Sequence, residues 1–438
     1  MQNKPLLHSQ GQNHLLKSRR FLPLFVTQFF GAFNDNVFKN AFLIWFTYDI
    51  SSKLNMDAQL MVTIASGLFV LPFFLFSALA GQIADKFEKS KIVQIIKIAE
   101  IVIMAFAFVG FYFENVYLLL LLVFLMGVHS TFFGPIKYSL LPETLKDNEL
   151  VSGNALIEGG TFLAILLGTI LGGVVIRSQN GIEIICVEIV FFALIGYFAS
   201  CFIPKTPISD SGLKISFNIF SQTRKIIGFA KKENTVWLSI IGISWFWFIG
   251  VTFLSQFPIY TKNIINGNEF IVTLFLSIFS IGIGVGSVMC NKLLKGKIDG
   301  RLVPLGSIGI SIGILLFCLA SNFYQTPINN INLAEFFSSG FASYLIVLSL
   351  LAIAIFSGIY IVPLYAIMQH RSDNKYLSRI IAANNVLNAL FMVASSLVIV
   401  GLIAIKITLL QIFLMLGIFN IFVFFFIKKI VKRRLENA

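Results

Sequence analysis

Ionisable side chains lie inside some of the most apolar stretches of this sequence. Asp35 and Lys39 are one helical turn apart within FVTQFFGAFNDNVFKNAFLIWF, and Asn36 lies between them. At i, i+4 the carboxylate and the amine share one helix face and can pair, which lowers the cost of placing each in hydrocarbon. We therefore expect a binding site for a polar headgroup or a coupling ion here, with a purely structural ion pair as the alternative.

A second polar group lies further along, in VHSTFFGPIKYSLLPETL. The Gly134-Pro135 pair predicts a broken or kinked helix, with Lys137 presented from an irregular turn. Glu158, near the start of the next apolar stretch, can approach Lys137. The alternative for Lys137 is a side chain that only extends its amine to the membrane surface. His129 is either a residue of the transport pathway or a buried, hydrogen-bonded histidine.

The later apolar stretches carry amides and aromatic rings where the earlier ones carry charges. Gln256, Tyr365 and Asn385 are the candidate binding residues there. A cavity that is charged on one side and aromatic on the other suits an amphipathic substrate, with its headgroup at the charges and its acyl chain against the rings. No nucleophile–base pair, metal-ligand cluster or phosphate loop is recognisable, so we expect no enzymatic activity, cofactor or metal.

These residues must be positioned by membrane helices. The 438 residues are 57% hydrophobic and 12% charged, with a mean hydropathy of +0.88, a composition typical of polytopic membrane proteins. The four cysteines have no metal-ligand spacing and are interpreted as small core residues. Apolar stretches near the length needed to cross a bilayer predict an all-α fold with twelve spans at 21–48, 59–84, 91–112, 117–136, 153–176, 183–203, 236–261, 270–293, 302–321, 341–368, 379–404 and 408–428.

The distribution of Lys and Arg predicts the orientation. With both termini in the cytoplasm, 26 of the 33 basic residues fall on the cytoplasmic side and four on the other, as the positive-inside rule requires. The net charge of +13 is explained by this asymmetry and needs no nucleic-acid partner.

A long polar segment, 208–232, separates two sets of six spans, an arrangement common among secondary transporters. The predicted division is a cytoplasmic tail at 1–20, a first half at 21–204, a cytoplasmic loop at 205–235, a second half at 236–428 and a basic tail at 429–438.

The loop after the second span has the sequence GQIADKFEKSK. It resembles the G-x-x-x-D-[RK] loop of the major facilitator superfamily and departs from it at Glu88, where that loop usually has Gly. Gly81 allows two helices to approach closely. Asp85, followed by Lys86, can pair with a cationic side chain or a helix N-terminus of the other half and so latch an inner gate. The alternative is that Asp85 and Lys86 only mark a solvated helix end.

Several longer stretches together resemble the lysophospholipid transporter family of the major facilitator superfamily, including its acyltransferase-fused members. They are QFFGAFNDNVFKNA, GQIAD, FFGPIKYSLLPE, NALIEGGTFLAILLGTILGG, IYIVPLYAIMQ and SRIIAANNVLNALFMV. The resemblance implies flipping or uptake of lysophospholipids, typically lysophosphatidylethanolamine, across a bacterial inner membrane, with roles for Asp35, Lys137 and Glu158. The alternatives are an ion-coupled exporter of a small solute, such as a siderophore or drug, and a receptor or scaffold that transports nothing.

The sequence departs from the family in one helix and in its length. Family members can carry an arginine after the Gly-Val-Thr triplet of the seventh span, whereas here Thr252 is followed by Phe253, so phosphate contact from that helix is not implied. Because the sequence stops at Ala438, we expect any re-acylating enzyme to be a separate protein. We expect the transporter to act as a monomer.

Overall fold

The computed structural model describes residues 12–54, 56–325 and 330–436, and these residues form helices and connecting segments without a β-strand. The twelve long helices and two short ones (α7 and α11) are α1 Leu22–Trp45, α2 Ala58–Lys86, α3 Lys89–Tyr112, α4 Val116–Thr144, α5 Asp147–Val175, α6 Gly181–Ser200, α7 Ile219–Lys232, α8 Asn234–Tyr260, α9 Glu269–Leu294, α10 Leu302–Phe323, α11 Leu333–Ser338, α12 Phe341–Arg371, α13 Leu377–Ala404 and α14 Leu409–Glu436.

Eleven of the described helices are long and apolar enough to cross a membrane, with mean hydropathies of their best segments between 1.8 and 2.7. The helix α1 is not among them, because the polar run around Asp35 lowers its mean hydropathy. The protein is therefore a multi-pass membrane protein built from helices.

Helix α4 is not broken at Gly134-Pro135, so the expectation that Lys137 is presented from an irregular turn was wrong. Helix α4 runs without interruption to Thr144, so Lys137 lies within the helix, about two turns before its end. A proline removes one backbone N–H, but a membrane helix tolerates this loss where neighbouring helices pack around it. The short helices α7 and α11, in the segments between spans, were not predicted.

Glycines of the GGTFLAILLGTILGG stretch bring α5 against α1. A Cβ atom built on Gly172 would lie 2.5 Å from the Val37 carbonyl oxygen, and Gly168 lies equally close to the backbone of Phe33. Neither position has room for a side chain, so the two helix backbones are in contact. In the same part of the molecule α2 packs on α4, and α3 packs on α4 and α6.

Aromatic rings fill much of the space between the later helices. The ring of Phe253 on α8 stacks on that of Phe413 on α14 at 4.7 Å between centroids, and α12 packs on α8, α9 and α10. The earlier and later helices meet where α5 packs on α9 and α12, and where α13 packs on α2 and α4. The division of the chain at 205–235 stays a prediction.

Candidate functional site

Asp35 is buried where α1 meets α4. Its Oδ2 atom accepts a hydrogen bond of 2.6 Å from the Ser130 hydroxyl, while Oδ1 has no hydrogen-bond partner among the described residues. Lys39 points elsewhere, with its Nζ atom 5.0 Å from the centroid of the Phe69 ring on α2. Asp35 and Lys39 thus form no ion pair within 4 Å, although each lies within electrostatic reach of the other. The expected pairing is not formed, because the two side chains lean toward different neighbouring helices.

Asn36 faces α5 and does not join Asp35. Its amide donates to the Ala32 carbonyl at 2.8 Å, and its Cβ atom lies against Gly168. One turn later, Asn40 donates to the Thr169 hydroxyl at 3.2 Å. These contacts hold α1 and α5 together.

A buried network behind Asp35 was missed from the sequence. On α3, Lys97 pairs with Glu100, one turn away on the same face. The Glu100 carboxylate also accepts a 3.0 Å hydrogen bond from the Asn34 amide, and its Oε2 lies 3.0 Å from Nε2 of His129 on α4. Asn34 in turn donates to the Ile189 carbonyl of α6. The i, i+3 spacing of Lys97 and Glu100 was a usable signal, but His129 and Asn34 come from distant parts of the chain.

Lys137 and Glu158 both contact Tyr138, whose ring belongs to an aromatic pair. The Glu158 carboxylate accepts a 2.5 Å hydrogen bond from the Tyr138 hydroxyl and acts electrostatically on Lys137, whose Nζ lies 4.4 Å from the Tyr138 ring centroid. The Tyr138 ring stacks on that of Tyr365 from α12, with centroids 4.4 Å apart and an angle of 6° between the planes. Tyr138 therefore links Lys137, Glu158 and Tyr365, and with them α4, α5 and α12. Lys137 and Glu158 form no ion pair within 4 Å among the described residues.

Two amides of the later helices behave differently. The Asn385 side chain reaches α4, where a Cβ atom on Gly134 would lie 2.6 Å from Nδ2, so it lies one turn from Lys137. Gln256 donates only to the neighbouring Ser255 hydroxyl, at 3.3 Å, and its Oε1 atom has no hydrogen-bond partner among the described residues. The structure brings Asn385, but not Gln256, to the charged residues of α4.

Asp85, at the end of α2, contacts the N-terminus of α13. Its Oδ1 accepts from the Ser378 backbone N–H at 3.1 Å, and its Oδ2 accepts from Nε of Arg379 at 2.7 Å. Arg379 also donates to Asp210, in the segment before α7, at 2.9 Å. Gly81 makes this approach possible, because a Cβ atom there would lie 2.9 Å from the Arg379 Cα atom. Asp85 thus contacts both kinds of partner that the sequence suggested, a cation and a helix N-terminus.

The neighbouring basic residues do not share this role. Lys86 forms no ion pair within 4 Å among the described residues, and its Nζ lies 5.6 Å from the Phe87 ring centroid. Lys89, which was not singled out from the sequence, is fully buried and binds Glu143 at 2.7 Å and the Ser209 hydroxyl at 3.0 Å.

Hydrogen bonds between earlier and later helices cluster at this same end of the molecule. Near the start of α5, Ser152 donates to Asn291 of α9 at 2.9 Å, and Asn154 donates to Gln369 of α12 at 2.6 Å. Gln369 also donates to the Tyr138 carbonyl, at 3.1 Å. Together with Asp85, these contacts close the end of the molecule at which α2 and α5 meet α13 and α12.

Known proteins with similar sequences include lysophospholipid transporters of bacteria. The chain is 26% identical to the lysophospholipid transporter LplT of Cronobacter sakazakii, with 83% of each chain covered. It is also 26% identical to LplT of Yersinia enterocolitica, with 82% of this chain and 81% of the relative covered. The resemblance to the lysophospholipid transporter family is confirmed.

Solved structures with the same fold include the human organic anion transporter MFSD10, with a TM-score of 0.71 at 12% identity over 93% of this chain and 99% of that one. The fucose transporter FucP in its outward conformation also has a TM-score of 0.71, at 9% identity over 94% of this chain and 99% of that one. The family model of the Major Facilitator Superfamily matches residues 24–396. The helices and the sequence agree: this chain belongs to the major facilitator superfamily of membrane transporters.

Proposed function

We propose that this transporter moves lysophospholipids, with lysophosphatidylethanolamine as the type substrate, across a bacterial inner membrane by alternating access. In this proposal all twelve long helices span the membrane and both termini are cytoplasmic. The names of its relatives support the substrate class, and the positive-inside count supports the orientation. The protein would act as a monomer, and re-acylation would be left to another enzyme.

The observation that carries the proposal is the grouping of Lys137, Glu158 and Tyr365 around Tyr138. Lys137 and Glu158, from α4 and α5, both contact Tyr138, and the Tyr138 ring stacks on the Tyr365 ring of α12. The headgroup of such a lipid needs a cation for its phosphate and a carboxylate for its amine, and the acyl chain needs an apolar wall. Lys137 is the candidate for the phosphate, as a point charge.

The remaining candidates fit around this contact. Asp35 has an unused carboxylate oxygen and is assigned to the headgroup amine. Tyr365 and Asn385 would contact the glycerol and the first part of the acyl chain, with Gln256 further along α8. Lys39 would act on Asp35 through its charge, and Asn36 would hold α1 against α5.

Asp85 would control the gate. In this structure Asp85, Ser378 and Arg379 join α2 to α13, so the cytoplasmic end in our orientation is closed. Release of the substrate to that side requires these contacts to break. They can form again because Gly81, which has no side chain, lets α2 and α13 approach closely. Lys86 would contribute by its charge at the surface.

The test is transport by the purified protein in proteoliposomes. Fluorescent lysophosphatidylethanolamine in one leaflet should move to the other faster than in protein-free vesicles, and Asp35→Asn should reduce this difference about tenfold or more. A monoacylglycerol of equal chain length serves as the uncharged control. Equal rates with and without protein, for a sample that is monodisperse in detergent, would contradict the proposal.

A further inference from the structure

Several buried hydrogen-bonding atoms lie around Tyr365 without a partner. On α13, Asn384 is fully buried, and neither its Oδ1 nor its Nδ2 atom forms a hydrogen bond with any described residue. Within the same part of the chain, the Trp247 indole nitrogen on α8 and Oε2 of Glu158 on α5 are also unpaired. We call Glu158, Trp247, Tyr365 and Asn384 the polar cluster.

The polar cluster joins side chains from four helices, with Tyr365 of α12 in their midst. The Tyr365 hydroxyl lies close enough to the Asn384 amide and the Trp247 indole to interact with both, but neither approach has the geometry of a hydrogen bond. Glu158 acts on Tyr365 through its charge, and its Oε1 atom accepts from Tyr138. The cluster therefore lies where α5 of the earlier helices meets α8, α12 and α13 of the later ones.

One turn further along α13, a second amide is paired. Asn388 accepts a hydrogen bond of 2.9 Å from the Ser244 hydroxyl of α8. Asn384 and Asn388 share a helix face, yet only Asn388 contributes its amide to the packing of the helices. Because buried polar groups are nearly always hydrogen-bonded in native proteins, the open amide of Asn384 indicates a place for a ligand.

The open atoms of the polar cluster require a ligand group that both donates and accepts. The N–H groups of Trp247 and Asn384 donate, whereas the Glu158 carboxylate and the Asn384 carbonyl oxygen accept. An ammonium group would leave the N–H groups unpaired. A phosphate oxygen would leave the acceptors unpaired and would face the negative charge of Glu158. A hydroxyl group donates once and accepts twice, so it can pair with both kinds of atom.

We propose that the polar cluster binds the free glycerol hydroxyl of a lysophospholipid and thereby selects it over a phospholipid with two acyl chains. This assignment rests on the proposed function. In a phospholipid with two chains the same oxygen is esterified, so it cannot donate, and a second chain would have to enter beside the buried amide. Only two carbon atoms separate the hydroxyl from the phosphate ester oxygen. Lys137, the candidate for the phosphate, acts electrostatically on Glu158, so one glycerol unit can reach both.

The test compares lysophosphatidylethanolamine with its 2-deoxy analogue, which has the same acyl chain and headgroup and a hydrogen in place of the hydroxyl. Binding of each lipid to the purified protein in detergent is measured by calorimetry. The parent protein should bind the hydroxyl lipid about tenfold more tightly, because the deoxy lipid leaves buried polar atoms of the protein unpaired. Equal affinities, as expected where water pairs with the polar cluster in both complexes, would overturn the hydroxyl subsite.

Three variants test whether the polar cluster is the source of this discrimination. Asn384→Leu should reduce the ratio of the two affinities to less than about threefold. Trp247→Phe, which keeps an aromatic ring and loses the N–H group, should also reduce it. Asn388→Leu is the matched control, since it removes an amide that is already paired, and its ratio should stay within about twofold of the parent value.

A folded Asn384→Leu protein with the ratio of the parent would overturn the assignment, and if this variant does not fold, Trp247→Phe decides in the same way. An equal loss of the ratio in Asn388→Leu would also overturn it. Failure of the proposed function gives a different result: neither lipid binds to the parent protein, and the hydroxyl subsite fails with it. If both lipids bind equally, only the subsite fails.

Discussion

Asp85 and Arg379 form a buried ion pair between α2 and α13, with Oδ2 and Nε 2.7 Å apart. Two residues that are far apart in the sequence thus form an ion pair at one end of the molecule. Arg379 is held on its other side by Asp210, so the segment between the two sets of helices takes part in the same contact. This arrangement makes Asp85 the most direct point at which to disturb the proposed gate.

We expect Asp85→Asn to open this end more often. The amide cannot pair with Arg379, and the loss of a charged hydrogen bond costs about 1.5–3 kcal/mol, which corresponds to at least a tenfold shift in the population of the open state. In a background without the four native cysteines, a cysteine at position 385 should react up to about tenfold faster with a reagent applied from the cytoplasmic side.

The control for this change is Asp373→Asn, a neighbouring carboxylate that caps the turn before α13 and is exposed. Its labelling rate should match that of the parent protein. If Asp85→Asn also matches the parent, Asp85 only marks a helix end, and the gate must depend on other contacts.

The role of Asp85 as a contact between helices could be predicted from the sequence, whereas the buried network around Glu100 could not. An acidic residue between an apolar span and a basic loop can be recognised in the local sequence. At a helix end, few kinds of partner are within its reach. Besides Lys97, the partners of Glu100 come from two other helices, α1 and α4, and no local spacing reports which helix faces will meet. Likewise, Asp35 and Lys39 share a helix face, but the choice of Ser130 and Phe69 as their neighbours is made by packing.

The helices themselves were largely predictable, because all the long helices except α1 contain a continuous apolar run. The uninterrupted path of α4 through Pro135 was not predictable. A proline is visible in the local sequence, whereas the packing of distant helices that tolerates it is not visible there. Close packing of α5 was predictable, because Gly168 and Gly172 are four residues apart and leave one face of α5 without side chains, but the identity of its partner, α1, came only from the structure.

We expect Gly172→Ala to destabilise the protein. The added Cβ atom would lie 2.5 Å from the Val37 carbonyl oxygen, so α1 and α5 must separate, at a cost of about 1–3 kcal/mol. The measurement is the midpoint of thermal unfolding in detergent. Gly250→Ala is the matched control, because a Cβ atom at Gly250 would meet nothing within 4 Å; equal midpoints for the two variants would mean that the helices are not in tight contact.

We expect Asp35→Asn to fold and to lose most of its transport. The amide can still accept the Ser130 hydrogen bond, but it offers no charge to a headgroup amine, so the rate should fall about tenfold or more. Asp49→Asn is the control, since Asp49 pairs with Arg177 at the surface. Unaltered lysolipid transport by a well-expressed Asp35→Asn protein would remove Asp35 from the site.

The substrate class depends most on Lys137. A lysolipid already has its acyl chain in the membrane before transport, so the chain contributes about equally before and after binding, and the headgroup contacts should decide selectivity. We expect Lys137→Ala to weaken binding of a lysophospholipid about tenfold and to change binding of a monoacylglycerol of equal length by less than about twofold. Binding is measured by fluorescence competition in detergent, with Lys53→Ala as a control for loss of a surface amine, since Lys53 pairs with Glu114. Equal losses for the two lipids would mean that Lys137 serves the packing of α4 and Tyr138 alone, and a small solute would then become the better candidate for the substrate.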